Sequence, residues 1–152
     1  MGRKSFAIKM DSSRKDWVME VVTRAPKGVS SIDILVNNAT ILNHTEQITD
    51  QKDEFWEKIL RVNHTGAYNC SRAVLPDRKE KRWGRIISMA SVAGTFGGFG
   101  QVSYSTIKVK VIGFSKTLAL EGARYPITYN VVYPGIITSD SLISSFLKLG
   151  RG

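Results

Sequence analysis

Residues 32–39 read IDILVNNA, and this stretch decides the fold. Its first five residues are apolar apart from Asp33, and Asn37 and Asn38 end the run. A short apolar run of this kind is typical of a strand that is buried on both faces of a parallel sheet, whereas a strand with one exposed face alternates. The stretch therefore predicts a parallel sheet, whose strands must be joined by long crossover connections.

The rest of the chain shows the alternation of strands and helices that such a sheet needs. Upstream, residues 5–10 alternate polar and apolar side chains, and Asp11-Ser12-Ser13 precedes apolar positions at helical spacing, which predicts a strand, a cap and a helix. Downstream, the pattern predicts a helix over 50–75 that Pro76 ends, a strand over 84–89, a helix over 102–124 and a strand over 127–133. We therefore expect one α/β domain over 1–152, a doubly wound parallel sheet with helices on both faces.

Composition places the chain among ordinary globular proteins. Its 152 residues are 42% hydrophobic and 23% charged, a mixture typical of a packed core. No apolar run approaches the ~18 residues of a membrane helix, and no apolar stretch follows the basic residues at the start. We therefore expect a cytoplasmic protein with no membrane partner. The single cysteine, Cys70, excludes an internal disulfide. This cysteine and the two histidines have no recognisable metal-ligand spacing, so no metal site is predicted.

The positive charge is concentrated in two stretches. The chain has 22 Lys and Arg against 13 Asp and Glu, a net charge of +9, and basic residues gather in the first 27 residues and over 78–85. These stretches are interpreted either as solvated surfaces or as sites for an anionic partner, such as nucleic acid, a phosphorylated cofactor or an acyl carrier. Because no zinc finger, RNA-recognition signature or basic zipper accompanies them, we expect no nucleic-acid partner.

Small polar or turn-forming residues follow the predicted strands, at the edge where doubly wound sheets bind ligands. They are Asp11, Asn37, Asn38, Ala39, Ser91, Pro134 and Gly135. On the helix after Ser91, Tyr104 and Lys108 stand four residues apart and therefore share one helix face. An ammonium one turn from a phenol favours the phenolate, so Tyr104 is a candidate general acid or base. Taken alone, such a pair is also common among ordinary surface residues.

Several motifs occur in a fixed order along almost the whole chain. They are DILVNNA at 33–39, VNHTG at 62–66, GRII at 84–87 with SVAG at 91–94, YSTIK at 104–108 and NVVYPG at 130–135. With this order and with the spacing of Ser91 and Tyr104, the chain resembles the short-chain dehydrogenase/reductase family, most of all its 3-oxoacyl-carrier-protein reductase and sugar or polyol dehydrogenase branches. The resemblance implies a Rossmann-like fold.

The resemblance also implies an NAD(P)-dependent oxidoreductase that interconverts a carbonyl and a secondary alcohol by hydride transfer. In this family pattern Tyr104 protonates the carbonyl oxygen, Ser91 hydrogen-bonds the same oxygen, Lys108 supports the tyrosine and binds the nicotinamide ribose, and Asn63 holds a water that relays protons from Lys108. Together they form an Asn-Ser-Tyr-Lys tetrad. The implied cofactor-binding residues are Asp11, Asn37, Ala39, Tyr104, Lys108, Pro134, Gly135, Thr138 and Ser139. For Asp11, helix capping is an equal alternative to contact with adenine.

The chain departs from the family pattern at three places. Thr40 stands where the family has glycine, and a β-branched residue resists positive φ. The cofactor's carboxamide contact is ambiguous between Thr138 and Ser139. No Gly-x-x-x-Gly-x-Gly occurs near the start of the chain, so we expect an N-terminally truncated chain that lacks the first β-α-β unit and also the C-terminal end. The strand at 32–36 would then have an unpaired edge, which is prone to association.

Cofactor choice, assembly and activity follow as expectations. The cofactor is NAD or NADP, and the positive charge favours NADP slightly. The substrate is a small-molecule carbonyl or alcohol. The two long predicted helices carry more apolar residues than one sheet face covers, so we expect a homodimer or homotetramer through them. The alternative is a non-catalytic fragment of such an enzyme that acts, if at all, as an interaction module.

Overall fold

The computed structural model describes residues 5–24, 31–41, 45–135 and 137. Its strands are β1 (Ile34–Asn37), β2 (Gly84–Met89) and β3 (Ile127–Val132), which form a parallel sheet in the order β1-β2-β3. The stretch that predicted a parallel sheet is thus strand β1, and the predicted α/β class is confirmed.

Helices precede the sheet and connect its strands. They are α1 (Lys15–Thr23), α2 (Asp53–Leu60), α3 (Gly66–Lys81), α4 (Ala93–Phe96) and α5 (Val102–Gly122), and a single wider π-helical segment (Arg61–Thr65) joins α2 to α3. The connections β1–α2–α3–β2 and β2–α5–β3 are the long crossovers that parallel strands require. Among the described residues, no helix combines the length and apolar character needed to cross a bilayer.

One face of the sheet carries the core. Along β2, Gly84, Ile86 and Ser88 are buried, whereas the residues between them are only half-buried. The core cluster of Ile59, Ile107 and Val111 lies on the buried face, where Val131 of β3 packs against it, and Val131 is in register with Ser88. The buried residues of β2 are paired with the more buried residues of β3, so they lie on one face of the sheet, and α3 and α5 both cover this face.

The opposite face and one edge of the sheet are open in the described part of the chain. Ile34 and Val36 of β1 are 53% and 52% exposed, and Val132 of β3 is 44% exposed. Helices were expected on both faces; among the described residues the helices that contact the sheet lie on one. No described strand pairs with the free side of β1.

Two predicted element bounds are wrong. Residues 5–10 are not a strand, and no described strand precedes β1. Pro76 does not end the long helix: α3 runs through it to Lys81 and ends at Arg82, which adopts left-handed φ of 52°. Proline removes one backbone hydrogen bond at a cost of about 3 kcal/mol. Val74 and Arg78, on either side of Pro76, are both buried.

Candidate active site

Asn63 lies in the π-helical segment and is 5% exposed. Its side-chain Oδ1 accepts a hydrogen bond from the backbone N–H of Ile41 at 2.8 Å, and its Nδ2 donates to the carbonyl oxygen of Ile41 at 3.0 Å. Both ends of the amide are therefore used to hold the loop that follows β1. The side chain of Asn63 positions this loop.

Lys108 and Tyr104 are brought together as the sequence predicted. Lys108 is 4% exposed, and its Nζ lies 5.3 Å from the centroid of the Tyr104 ring. The same Nζ donates to the carbonyl oxygen of Met89, at the end of β2, at 2.7 Å. Burial lowers the pKa of Lys108 below its ordinary value. The strand end thus fixes an ammonium group beside the phenol ring.

Ser91 lies just beyond the carboxyl end of β2 and is half-buried. Its Oγ accepts a hydrogen bond from the backbone N–H of Ala93 at 3.2 Å, at the first turn of α4. Gly94, in the same turn, lies so close to α5 that a Cβ there would meet Cβ of Lys108 at 2.9 Å. Local packing therefore fixes Ser91 relative to the helix that carries Tyr104 and Lys108.

A cavity of about 200 Å³ opens at the carboxyl end of β1. The predicted residues Asn37, Ala39, Asn63 and Lys108 all line it. Tyr104 and Ser91 are not among its lining residues, but Tyr104 is joined to it through Lys108. Four predicted residues that lie up to 71 positions apart in sequence are thus collected at one edge of the sheet.

Sequence reasoning missed several polar groups of this region. Nδ2 of Asn37 lies 3.1 Å from Oγ of Ser71 and 3.4 Å from Oγ of Ser88, and it donates to both. Both serines are buried. Ser88 belongs to the buried set of β2, so the strand's alternation was a usable signal, whereas Ser71 gave none. The carbonyl of Met89, which accepts from Lys108, is a backbone group that no side-chain motif reports.

Asp11 neither caps the helix nor lines the cavity. Its Oδ1 accepts hydrogen bonds from the backbone N–H and Oγ of Ser13, at 2.9 and 2.7 Å, and these bonds lower the pKa of Asp11. The residue at the cap position of α1 is Arg14. Met10 and Ser12, on either side of Asp11, do line the cavity. Capping is therefore not its role, and the carboxylate stays exposed in a local turn.

Of the remaining predicted residues, the structure describes Pro134 and Gly135. Pro134 and Gly135 follow β3 and do not line the cavity, and Thr138 and Ser139 lie outside the described residues. Thr40 is exposed and does not have positive φ, so a β-branched residue meets no backbone strain there. The described residues contain no group of three or more His, Cys, Asp or Glu side chains that could hold a metal ion.

The parallel sheet, the polar cavity at its carboxyl edge and the adjoining Tyr-Lys pair define a Rossmann-like α/β protein. The model of the short chain dehydrogenase family matches residues 1–148. The chain therefore belongs to the short chain dehydrogenase family, as the order of its motifs predicted.

Relatives and solved structures agree with this assignment. The chain is 46% identical over 140 residues to the 3-oxoacyl-[acyl-carrier-protein] reductase FabG of Escherichia coli K12, covering 92% of this chain and 57% of that protein. FabG of Haemophilus influenzae is 39% identical with the same coverage. NAD+-bound xylitol dehydrogenase superposes with a TM-score of 0.86 at 28% identity, over 93% of this chain and 54% of the other. ElxO with NADP bound gives a TM-score of 0.84 at 29% identity, over 94% and 57%. The chain spans a little over half the length of these relatives.

Proposed function

We propose that the chain carries the catalytic side of an NAD(P)-dependent oxidoreductase that interconverts a carbonyl and a secondary alcohol. The observation that carries the proposal is the Lys108 ammonium, which is buried, held by the carbonyl of Met89 and placed 5.3 Å from the Tyr104 ring centroid. A buried charge needs a function or a partner to justify its desolvation. The relatives named as reductases and dehydrogenases support the same conclusion.

In the proposed reaction, Tyr104 gives its phenolic proton to the carbonyl oxygen of the substrate and takes it back in the reverse direction. The positive charge of Lys108 favours the phenolate that remains after proton transfer. Ser91 donates a second hydrogen bond to the same oxygen, where negative charge develops. Because the Ser91 hydroxyl accepts from Ala93, its own proton is available for that donation. Asn63 acts by holding the loop after β1 in place.

A nicotinamide cofactor, NAD or NADP, would supply the hydride. The cavity at the carboxyl end of β1 has about 200 Å³, less than the 300–1,000 Å³ of typical small-molecule sites. It therefore has room for only a part of such a cofactor. Its lining offers the amides of Asn37 and Asn38 and the Lys108 ammonium, which suit the hydroxyl groups of a ribose. In this proposal Lys108 holds the nicotinamide ribose, and Asn37, with Ala39, lies on the adenosine side of the cofactor. The net charge of +9 favours the additional phosphate of NADP slightly.

Assembly through the long helices is part of the proposal. A groove of about 460 Å³ lies between α3 and α5, and its lining includes Tyr68, Leu75, Phe114 and Leu118. Tyr68 is 43% exposed and packs 6.5 Å from Phe114, centroid to centroid. An exposed apolar surface of this kind is typical of an interface. We therefore infer a homodimer or homotetramer. A monomer observed by light scattering at micromolar concentration would contradict this inference.

One observation favours the alternative of a non-catalytic interaction module. In the described part of the chain no strand pairs with one side of β1, and such an edge is a template for strand pairing with another chain. The two functions differ in a cofactor titration. Saturable quenching of the fluorescence of Trp17, Trp56 and Trp83 by NADH or NADPH is expected for the enzyme, and no binding at millimolar cofactor for the module.

The catalytic assignment is tested by Tyr104→Phe with Tyr125→Phe as the matched control. Tyr125 precedes β3 at the opposite edge of the sheet, and its ring contacts Lys79 and Arg124 rather than the site. Tyr104→Phe should lower turnover of a panel of ketones by a hundredfold or more, about the contribution of one general acid. Its cofactor titration should still saturate, and Tyr125→Phe should keep full turnover. Equal rates for the wild type and Tyr104→Phe would refute the assignment.

A further inference from the structure

Tyr104 lies in the first turn of α5, and in the described part of the chain no side chain caps this turn. The helix begins at Val102, and the residue at its cap position is Gln101, a type that is not among the preferred helix caps. The side chain of Gln101 lies over Gly98, where an added Cβ would meet it. The first N–H groups of a helix have no intrahelical partners, and uncapped helix ends fray. The tyrosine therefore needs another support to keep a fixed position.

That support comes from the segment between β1 and α2, over residues 45–51. Nε2 of Gln51 donates a hydrogen bond to Oγ of Ser103 at 2.6 Å. Ser103 is 3% exposed and Gln51 is half-buried, so this bond is largely shielded from water. Ser103 is the residue before Tyr104. The bond thus ties the turn that carries the tyrosine to a residue 52 positions earlier in the chain.

A second contact joins the same two segments. The carbonyl oxygen of Gly100 accepts a hydrogen bond from the backbone N–H of Glu46 at 3.0 Å. Gly100 has a φ of +68°, and a Cβ on it would meet Cγ2 of Thr45 at 2.8 Å, so both the backbone and the close approach require glycine here. Residues 45–51 therefore form a two-point clamp on residues 100–103.

We propose that Gln51 is a positioning residue for the proposed reaction, because its bond to Ser103 holds the first turn of α5 and with it the phenol of Tyr104. The inference rests on the proposed function, since it takes Tyr104 as the proton donor. Gln51 does not line the cavity at the carboxyl end of β1. It acts through Ser103 and not on the substrate or the cofactor.

The position of Tyr104 depends on this clamp more than the positions of its partners do. Lys108 lies one turn further along α5, and its Nζ is held by the carbonyl of Met89. Ser91 is held by the backbone N–H of Ala93 in the turn that begins α4. A reacting group misplaced by about 1 Å can cost about a hundredfold in rate. Loss of the clamp should therefore slow proton transfer and leave binding of cofactor and ketone unchanged.

The test uses variants of the full chain that remove or keep this bond. They are Gln51→Met, Ser103→Ala, the two combined, and Gln51→Glu. Methionine is nearly as long as glutamine but has no donor, whereas the carboxylate of glutamate accepts the hydroxyl proton of Ser103 and so keeps a bond. The control is Thr117→Ala, which removes an exposed hydroxyl bond of 3.1 Å to the carbonyl of Gly113, on the same helix but away from Tyr104.

Turnover of the panel of ketones is the first measurement. Gln51→Met and Ser103→Ala should each lower kcat about tenfold, with KM for cofactor and ketone unchanged. The combined variant should lose no more than either single change, because both remove the same bond. Gln51→Glu and Thr117→Ala should keep the kcat of the wild type. Equal kcat for Gln51→Met and the wild type, or losses that add in the combined variant, would refute the proposal.

Amide hydrogen exchange tests the clamp without turnover. The N–H of Ser105 donates to the carbonyl of Gln101 at 2.8 Å, so its exchange reports opening of the first turn of α5. Loss of one hydrogen bond should speed this exchange about fivefold in Gln51→Met and leave it unchanged in Thr117→Ala. Faster exchange in a protein that turns over no ketone would support the clamp and refute the reaction. Unchanged exchange in Gln51→Met would refute the clamp and leave the reaction standing.

Discussion

Replacing Asn63 by alanine tests how the structure uses a residue that the motif placed in a proton relay. The change removes two hydrogen bonds, at 2.8 and 3.0 Å, between the Asn63 amide and the backbone of Ile41. It leaves the N–H and C=O of Ile41 without these partners in a partly buried position. Each bond contributes about 1 kcal/mol, and a buried group left unpaired costs about 1–3 kcal/mol. We therefore expect a loss of about 2–4 kcal/mol of unfolding free energy.

Urea denaturation measures this loss directly. With a slope of about 2 kcal/mol per molar urea, the midpoint for Asn63→Ala should fall by about 1–2 M. The matched control is Asn130→Ala, because Asn130 is exposed and, within the described residues, its side-chain amide donates to Oγ1 of Thr128 alone, at 3.3 Å. A surface change of this kind should alter stability by less than about 0.5 kcal/mol.

A second variant identifies which atoms act. Asn63→Asp keeps an acceptor for the Ile41 N–H but sets a carboxylate against the Ile41 carbonyl, which has no proton to give it. Its destabilisation should be largest at neutral pH and smaller in acid, where the protonated carboxyl can donate. If Asn63→Ala unfolded at the same midpoint as Asn130→Ala, the amide would not hold the loop, and the reasoning from its two bonds would be refuted.

Two further predictions concern packing and pH. Gly94→Ala should lower the free energy of unfolding by about 1–3 kcal/mol, and the melting temperature with it, because the new Cβ would lie 2.9 Å from Cβ of Lys108. An unchanged melting temperature would show that α4 does not rest on α5. Burial beside Phe114 lowers the pKa of His64, and the nearby charge of Lys110 lowers it further. The unfolded chain therefore binds a proton at His64 more readily than the folded chain does. The free energy of unfolding should decrease as the pH falls below about 6.5, the pKa of an unperturbed histidine. In His64→Leu this loss of stability in acid should be smaller. If denaturation curves at about pH 5 and pH 8 gave the same difference in stability for His64→Leu as for the wild type, the prediction would be contradicted.

The secondary structure was largely predictable because its signals are local. The run that became β1 and the strands at 84–89 and 127–132 each showed the apolar, β-branched pattern of a parallel strand. The alternation at 5–10 misled because a period of two shows only that a strand is possible, and pairing needs a neighbour that the described sheet does not provide. Pro76 misled because proline usually ends or kinks a helix, whereas α3 continues through Pro76 to Lys81.

The candidate site was only partly predictable. Tyr104 and Lys108 could be named from their spacing, and Asn63 and Ser91 from the family resemblance; the structure places Tyr104 beside Lys108. Their individual contacts could not be named, because the partners are backbone groups such as the carbonyl of Met89. A carbonyl is the same at every position, so no residue type in the sequence signals it.

The sequence by itself determined the α/β class, three of its parallel strands and the family, since these depend on local patterns and on the order of the motifs. Only the tertiary structure decided that the Asn63 amide holds Ile41, 22 positions away, and that Arg78, 2% exposed, is buried with its guanidinium 2.8 Å from Asp77 and 3.6 Å from Asp33. It also decided that Phe96 and Phe99 are exposed in a turn whose Gly97 and Gly100 have positive φ. The physical reason is that burial and hydrogen-bond partners are set by segments far apart in the chain, and these meet only when the sheet and its helices pack.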